Sequence, residues 1–143
     1  MSKQIEMDFV TQNITIRANL LWDENSNLCQ QFLDTLPYTS IQMHTMVSGK
    51  NLYHLLPQLS VNFSNTDKVV SRVNTPPGSL FIYYPRLIMI KYGQDYEDRH
   101  FPRIAEVIPE HMQYLNEIGK LCWNNILTKQ SPNVIKISRY CRK

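Results

Sequence analysis

NTPPGSLFIYYPRLIMIKYG, residues Asn74 to Gly93, is the most organised stretch of the chain. A Pro-Pro-Gly turn leads in and Gly93 leads out. Between them, residues 79–84 and 87–92 are short, β-branched and aromatic, so they read as two strands. Pro85 has no backbone donor, so Tyr84-Pro85-Arg86 is the connection of a hairpin. Both runs are apolar at nearly every position, which implies burial on both faces, as in a closed barrel or under a helix. Yet Tyr83, Tyr84, Arg86, Lys91 and Tyr92 stand among these apolar residues.

Working outward, Gln4 to Val10 and Asn13 to Leu21 alternate and predict a β-hairpin turning at Thr11-Gln12. In DENSNLCQQFLDTLP, Asn25 or Ser26 can cap a short amphipathic helix marked by Leu28, Phe32 and Leu36, which Pro37 stops. Tyr38 to Met46 alternates again, with Ile41, Met43 and Thr45 on one side and Gln42, His44 and Met46 on the other. Ser48 to Asn51 is a turn, and Leu52 to Leu56 returns as a strand. Residues 57–67 form a polar loop of the kind that often carries function. Lys68 to Val73 is a short strand and Arg103 to Ile108 another. Pro109 opens a long helix with Met112, Leu115, Ile118, Cys122 and Ile126 on one face, and Val134 to Ile137 closes with a strand. Eight or nine short strands without βα alternation point to a mainly β, antiparallel barrel with one short and one long helix. Residues 1–143 read as one domain, with the long helix expected outside the barrel.

Bulk properties exclude several classes. The 143 residues are 43% hydrophobic and 19% charged, a globular composition. The +3 net charge is spread thinly apart from Arg139, Arg142 and Lys143, so no basic stripe marks a nucleic-acid partner. No apolar run is long enough for a membrane span, and MSKQIEMDFV lacks a signal-peptide core; a cytoplasmic location is expected. Cys29, Cys122 and Cys141 lack metal-type or disulfide-type spacing, and all three are expected to be reduced.

Six residues carry candidate chemistry. His44, on the polar side of its strand, is a proton shuttle if the barrel holds a pocket, or else a solvent-facing histidine. His54 lies across the turn as a neighbour to it. The pair lacks a third ligand for a metal, so no metal is expected. Lys91 sits where an aliphatic residue belongs; it is either a desolvated base or carboxylate anchor, or a strand-end lysine reaching water. Tyr83 brings a hydroxyl on an apolar body, and Arg86 is either a bidentate carboxylate clamp at the barrel mouth or an ordinary surface-turn arginine. Glu97 belongs to QDYEDRHFPR, where carboxylates stand near His100, and could act as general acid or base. Lys91 shares a face with Met89, and Tyr92 with Ile90; Lys91 and Tyr83 are taken to point inward and converge with His44. Trp123 lies beyond the helix's core stripe, and an exposed aromatic there would suit a homodimer contact.

The order of elements also resembles a known group. A hairpin, a helix ending in LPY, a strand running to SGK, PPGSLFIYY-RLIMIKYG and the helix EHMQYLNEIGKLCWNNI resemble the small cyclophilin-like barrels of bacteria. The chain is similar to a cyclophilin-like family of unknown function and to the related cucumopine synthase, a group associated with Pictet–Spengler-type condensations. His44, Ser48 and Gly49 match that family's strand, whereas Met46, Val47 and Lys50 replace its usual arginine, tryptophan and glutamate. The resemblance implies a cofactor-independent enzyme joining an amine to a keto acid or aldehyde. That chemistry asks for a carboxylate clamp, Arg86 or Lys91, and a proton shuttle, His44 or Glu97; His44, Lys91 and Glu97 are therefore read as catalytic, and Tyr83, Arg86 and His54 as binding a small polar or carboxylate-bearing metabolite. The alternative is a non-catalytic small-molecule binder. The arginine and Phe-Met-Gln cluster with which cyclophilins grip a prolyl peptide is missing, which argues against prolyl isomerisation.

Overall fold

The computed structural model describes residues 3–57, 61–129 and 131–141. Residues 58–60 of the predicted polar loop, and Arg142 and Lys143 of the basic tail, lie outside the described residues. Nine strands run β1 (Gln4–Phe9), β2 (Ile14–Leu20), β3 (Tyr38–His44), β4 (Gly49–Leu55), β5 (Val69–Ser71), β6 (Ser79–Tyr83), β7 (Leu87–Asp95), β8 (His100–Val107) and β9 (Asn133–Tyr140). Helix α1 (Trp22–Asp34) follows β2. Helix α2 (Met112–Asn124) continues a 3-10 turn, Pro109–His111, and runs into a π turn, Asn125–Lys129.

Every strand pairing is antiparallel, in the order β2-β1-β9-β3-β4-β7-β6-β8. Ladder pairs Ala18–Val107 and Leu20–Ala105 join β2 to β8 and close an eight-stranded barrel. β5 pairs only with the start of β8, as a flap outside the closed wall.

The hairpin at residues 79–92 is buried on both faces, as its composition requires. Ile88, Ile90 and Tyr92 join the barrel interior with Leu52 and Ile5. Met89 faces outward, into a second apolar cluster with Phe81 and Phe101, flanked by Tyr53, Val70, Tyr83 and Leu87. Each such fully buried large side chain contributes roughly 1.5–3 kcal/mol.

Both helices pack onto the interior core. Helix α1 buries Leu28, Cys29, Phe32 and Leu33; the Cys29 thiol donates to the Ile104 carbonyl of β8 at 3.4 Å, and Phe32 meets Tyr38 edge-on. Asn25 does not cap this helix. It sits inside it at a non-helical φ of −146°, with its side chain bonded to Lys68 and to the carbonyl of Arg103. Helix α2 touches β2, β3, β4 and β7, strands on different sides of the ring, and Leu115, Ile118 and Cys122 meet inward-facing barrel residues. It therefore lies across one end of the barrel rather than against its outer wall, because its apolar stripe matches the open interior. Trp123 is half-buried on the His44 ring, with centroids 4.6 Å apart, not a free aromatic. Cys29 and Cys122 are buried, Cys141 is exposed, and all three are free thiols. Burial pushes the first two up to about 11 and about 12. Among the described residues no helix is long and apolar enough to cross a membrane.

Candidate functional site

Strand β3 turns its polar side to the interior. Tyr38, Gln42 and His44 are buried while Ile41 is 47% exposed, so the apolar set on this strand is the outer one. Inside, the His44 Nδ1 lies 2.6 Å from the Thr45 carbonyl. A carbonyl can only accept, so Nδ1 carries the proton and Nε2 is the acceptor. The Tyr92 hydroxyl donates to that Nε2 at 2.5 Å. Burial lowers the His44 pKa, opposed by the bond to Thr45, and burial also raises that of Tyr92.

His54 is placed the same way, one inward position along. The Gln42 amide nitrogen donates to the Tyr53 carbonyl at 2.8 Å, which aims Gln42 Oε1 at His54 Nδ1, 3.2 Å away. His54 Nε2 then accepts from the Tyr38 hydroxyl at 2.6 Å. Desolvation lowers the His54 pKa to about 3. Both histidines are therefore neutral and saturated with bonds, the condition of structural rather than substrate-facing groups.

Lys91 is buried on the opposite, outer face of β7. Its ammonium donates to the carbonyls of Arg72, Val73 and Thr75 at 2.6, 3.2 and 2.6 Å. Desolvation lowers its pKa and nearby Asp95 counteracts this; three carbonyl acceptors match the three donors of the charged form. Beside it Asp95 accepts two bonds from Arg72, at 2.8 and 3.1 Å, and one from the Asn51 amide. Both members of this ion pair are within 3% of full burial. The Asp95 carboxylate also accepts the Glu97 backbone N–H at 3.0 Å, so the pair fixes the start of the 96–99 loop.

That loop leads into His100 at the rim of an aromatic cleft, one of several among the described residues. A cleft of about 270 Å³ opens between β6, β8 and the segment 63–69. Its walls are aromatic: Tyr83 stacks obliquely on Phe101 with ring centroids 4.3 Å apart, and Phe63 faces Tyr84 at 6.2 Å. Ser64, Asp67 and His100 are its polar lining. Arg99 Nη1 approaches the Tyr83 hydroxyl at 3.4 Å, and Arg99 Nε pairs with Glu97 at 2.6 Å, both side chains about half exposed. An apolar slot with a few convergent polar groups is the usual build of a small-ligand site, and this one falls just below the roughly 300–1,000 Å³ range of such sites.

Of the residues the sequence singles out, Tyr83 lines the cleft and Glu97 stands at its edge through Arg99. Arg86 lies in the adjoining turn; its backbone carbonyl accepts the Leu56 N–H. His44 and His54 are separated from these by the barrel wall. The convergence of Lys91, Tyr83 and His44 does not occur. Lys91 and Tyr83 do share a face, but the outer one, because Ile88, Ile90 and Tyr92 take the interior positions. Sequence reading missed Phe63, Asp67, Phe101 and Arg72. Only Arg72 left a signal, as a cation between the valines of VVSRV.

No protein-family model matches the chain, and no curated protein does. Among solved structures it is similar to McbB, determined in complex with tryptophan, with a TM-score of 0.90 and 29% identity over 97% of this chain. The chain spans 45% of the length of that McbB chain. A hypothetical protein from Archaeoglobus fulgidus, solved in solution, has a TM-score of 0.61 and 12% identity, covering 97% of this chain and 95% of its own. At that identity the second likeness is one of fold. Together they place the chain among small closed β-barrels.

Proposed function

We propose that this barrel binds an aromatic amine in the cleft between β6 and β8 and condenses it with a keto acid or aldehyde. The observation that supports it is the aromatic slot with the Glu97–Arg99 pair at its edge, in a fold that McbB shares at 29% identity in a complex with tryptophan. In this reading the aromatic ring lies among Phe63, Tyr83, Tyr84 and Phe101. Arg99 uses its remaining guanidinium edge for the carboxylate of the carbonyl partner. The amine adds to the carbonyl carbon, water leaves, the imine nitrogen takes a proton from solvent, and an aromatic carbon of the same substrate closes on the resulting iminium carbon. Glu97 takes the proton lost from that ring carbon. The pair is exposed, so opening it to engage substrate costs at most about 1 kcal/mol. Kinship with the cyclophilin-like group, independence from any cofactor, a cytoplasmic location and a homodimeric state belong to the same reading.

The test is to incubate the protein with L-tryptophan and glyoxylate and follow products by mass spectrometry against a protein-free control. Accelerated formation of a species at the summed mass less one water is expected. Glu97→Gln should lose the acceleration while tryptophan binding by calorimetry persists. Binding without acceleration in the wild type would favour the non-catalytic binder, and absence of binding would end both readings.

A further inference from the structure

Among the residues lining the aromatic cleft, Asp67 is the one carboxylate, and no lysine or arginine lines the cleft with it. Its Oδ2 accepts the Ser64 backbone N–H at 2.7 Å, while its own N–H donates to the Ser64 carbonyl at 3.1 Å, closing a turn over residues 64–67. Among the described residues Oδ1 takes no hydrogen bond and the carboxylate has no cationic partner. The anion is thus held in one orientation by its own turn with half of its acceptor capacity unused.

Its surroundings give that free oxygen a preference. Asp67 is half-buried and shares the cleft with Phe63, Tyr83, Tyr84 and Phe101, and apolar walls lower the local dielectric, which strengthens attraction to a cation. The faces of the same rings are themselves attractive to ammonium groups. A neutral or anionic ligand would leave the carboxylate unpaired and partly desolvated, whereas an ammonium would pair it. Arg99 reaches the cleft only through the Tyr83 hydroxyl and is itself paired with Glu97, so among the lining residues the charge is that of Asp67.

We infer that Asp67 is the specificity-determining residue of the cleft, accepting the amino group of an aromatic primary amine through Oδ1. This deepens the reading of the cleft as the amine site and rests on it. Asp67 orients the nitrogen and selects amines over aromatic acids; the chemistry at Glu97 is separate.

Calorimetric titration with two indole probes tests it: tryptamine, with an ammonium and no carboxylate, and indole-3-propionate, with the reverse. Asp67→Asn should weaken tryptamine about tenfold or more and leave indole-3-propionate within about twofold. Asp67→Ser keeps a side-chain acceptor for the Ser64 N–H and should behave the same way, which separates loss of charge from loss of the turn. Equal weakening of both probes, or unchanged tryptamine affinity, would overturn the assignment. Phe63→Ala distinguishes the underlying reading: it should weaken both probes. If it weakens both while Asp67→Asn changes neither, the cleft stands and Asp67 falls. If neither Phe63→Ala nor Tyr84→Ala changes either probe, the cleft is not the site and the inference falls with it.

Discussion

The Tyr92 ring fills the space above Gly119, so that a Cβ on that helical residue would fall inside it. The same phenol donates to His44 Nε2 at 2.5 Å. Helix α2 and strand β3 are thereby coupled through a side chain of β7, and the glycine is the condition for their spacing. Gly119→Ala gains about 1 kcal/mol of helix propensity and incurs an overpacking cost of about 1–3 kcal/mol. A net loss of stability is expected in urea unfolding. The loss should shrink when Tyr92→Leu is combined with it, because the clash and the mutation share one cause.

His54 makes the barrel sensitive to acid. Its pKa is near 3 in the folded state against an unfolded value near 6.5. Above about pH 6.5 both states are neutral and the residue contributes no pH dependence. Below it the unfolded chain takes up a proton that the folded barrel does not. Stability therefore falls as pH drops, by roughly 1.4 kcal/mol per unit until pH approaches 3. His44, also lowered, adds a contribution of the same sign. Urea unfolding between pH 7 and pH 4 should show this slope, and His54→Gln should flatten it. An unchanged slope in that variant would mean that His54 titrates normally.

Lys91→Met separates a structural lysine from a ligand-binding one. Because the ammonium ties the carbonyls of Arg72, Val73 and Thr75 to the barrel wall, methionine keeps the volume and strands those acceptors. A loss of about 2–3 kcal/mol is expected, read as a lower urea midpoint. Binding of indole-3-propionate well below the unfolding transition should persist. Unaltered stability with lost binding would return Lys91 to the site.

The sequence conveyed the elements well and the orientation of their faces poorly. The hairpin at residues 79–92, the alternation on β7 and the long helical stripe from Met112 to Cys122 all depend on local periodicity, which needs no knowledge of neighbours. Which side of a strand faces inward does depend on neighbours. On β3 the alternation of Ile41 and Met43 against Gln42 and His44 is plain but leaves two readings of the polar face; it is inside, where Tyr38, Gln42 and His54 satisfy one another. The reversal is on the hairpin, where Lys91 and Tyr83 lie on the outer face. The cleft was illegible for a further reason: Phe63, Asp67, Tyr83 and Phe101 come from three separate segments, and only the pairing of β5 and β6 with β8 brings them together. The β7 strand also extends to Asp95, two residues past Gly93, because Asp95 is drawn into the wall by Arg72.

Joining β2 to β8 has a consequence for how the molecule meets others of its kind. An open sheet offers two rows of unpaired amides and carbonyls on which another chain can grow; a closed ring offers none. Here the closed wall hides its ladders, and the exception among the described strands is the three-residue β5. So short a free margin is a poor template for added strands, and it lies beside the aromatic cleft. Among the described strands, the margin left for strand addition is the flap beside the cleft, where a molecule occupying the cleft would oppose it.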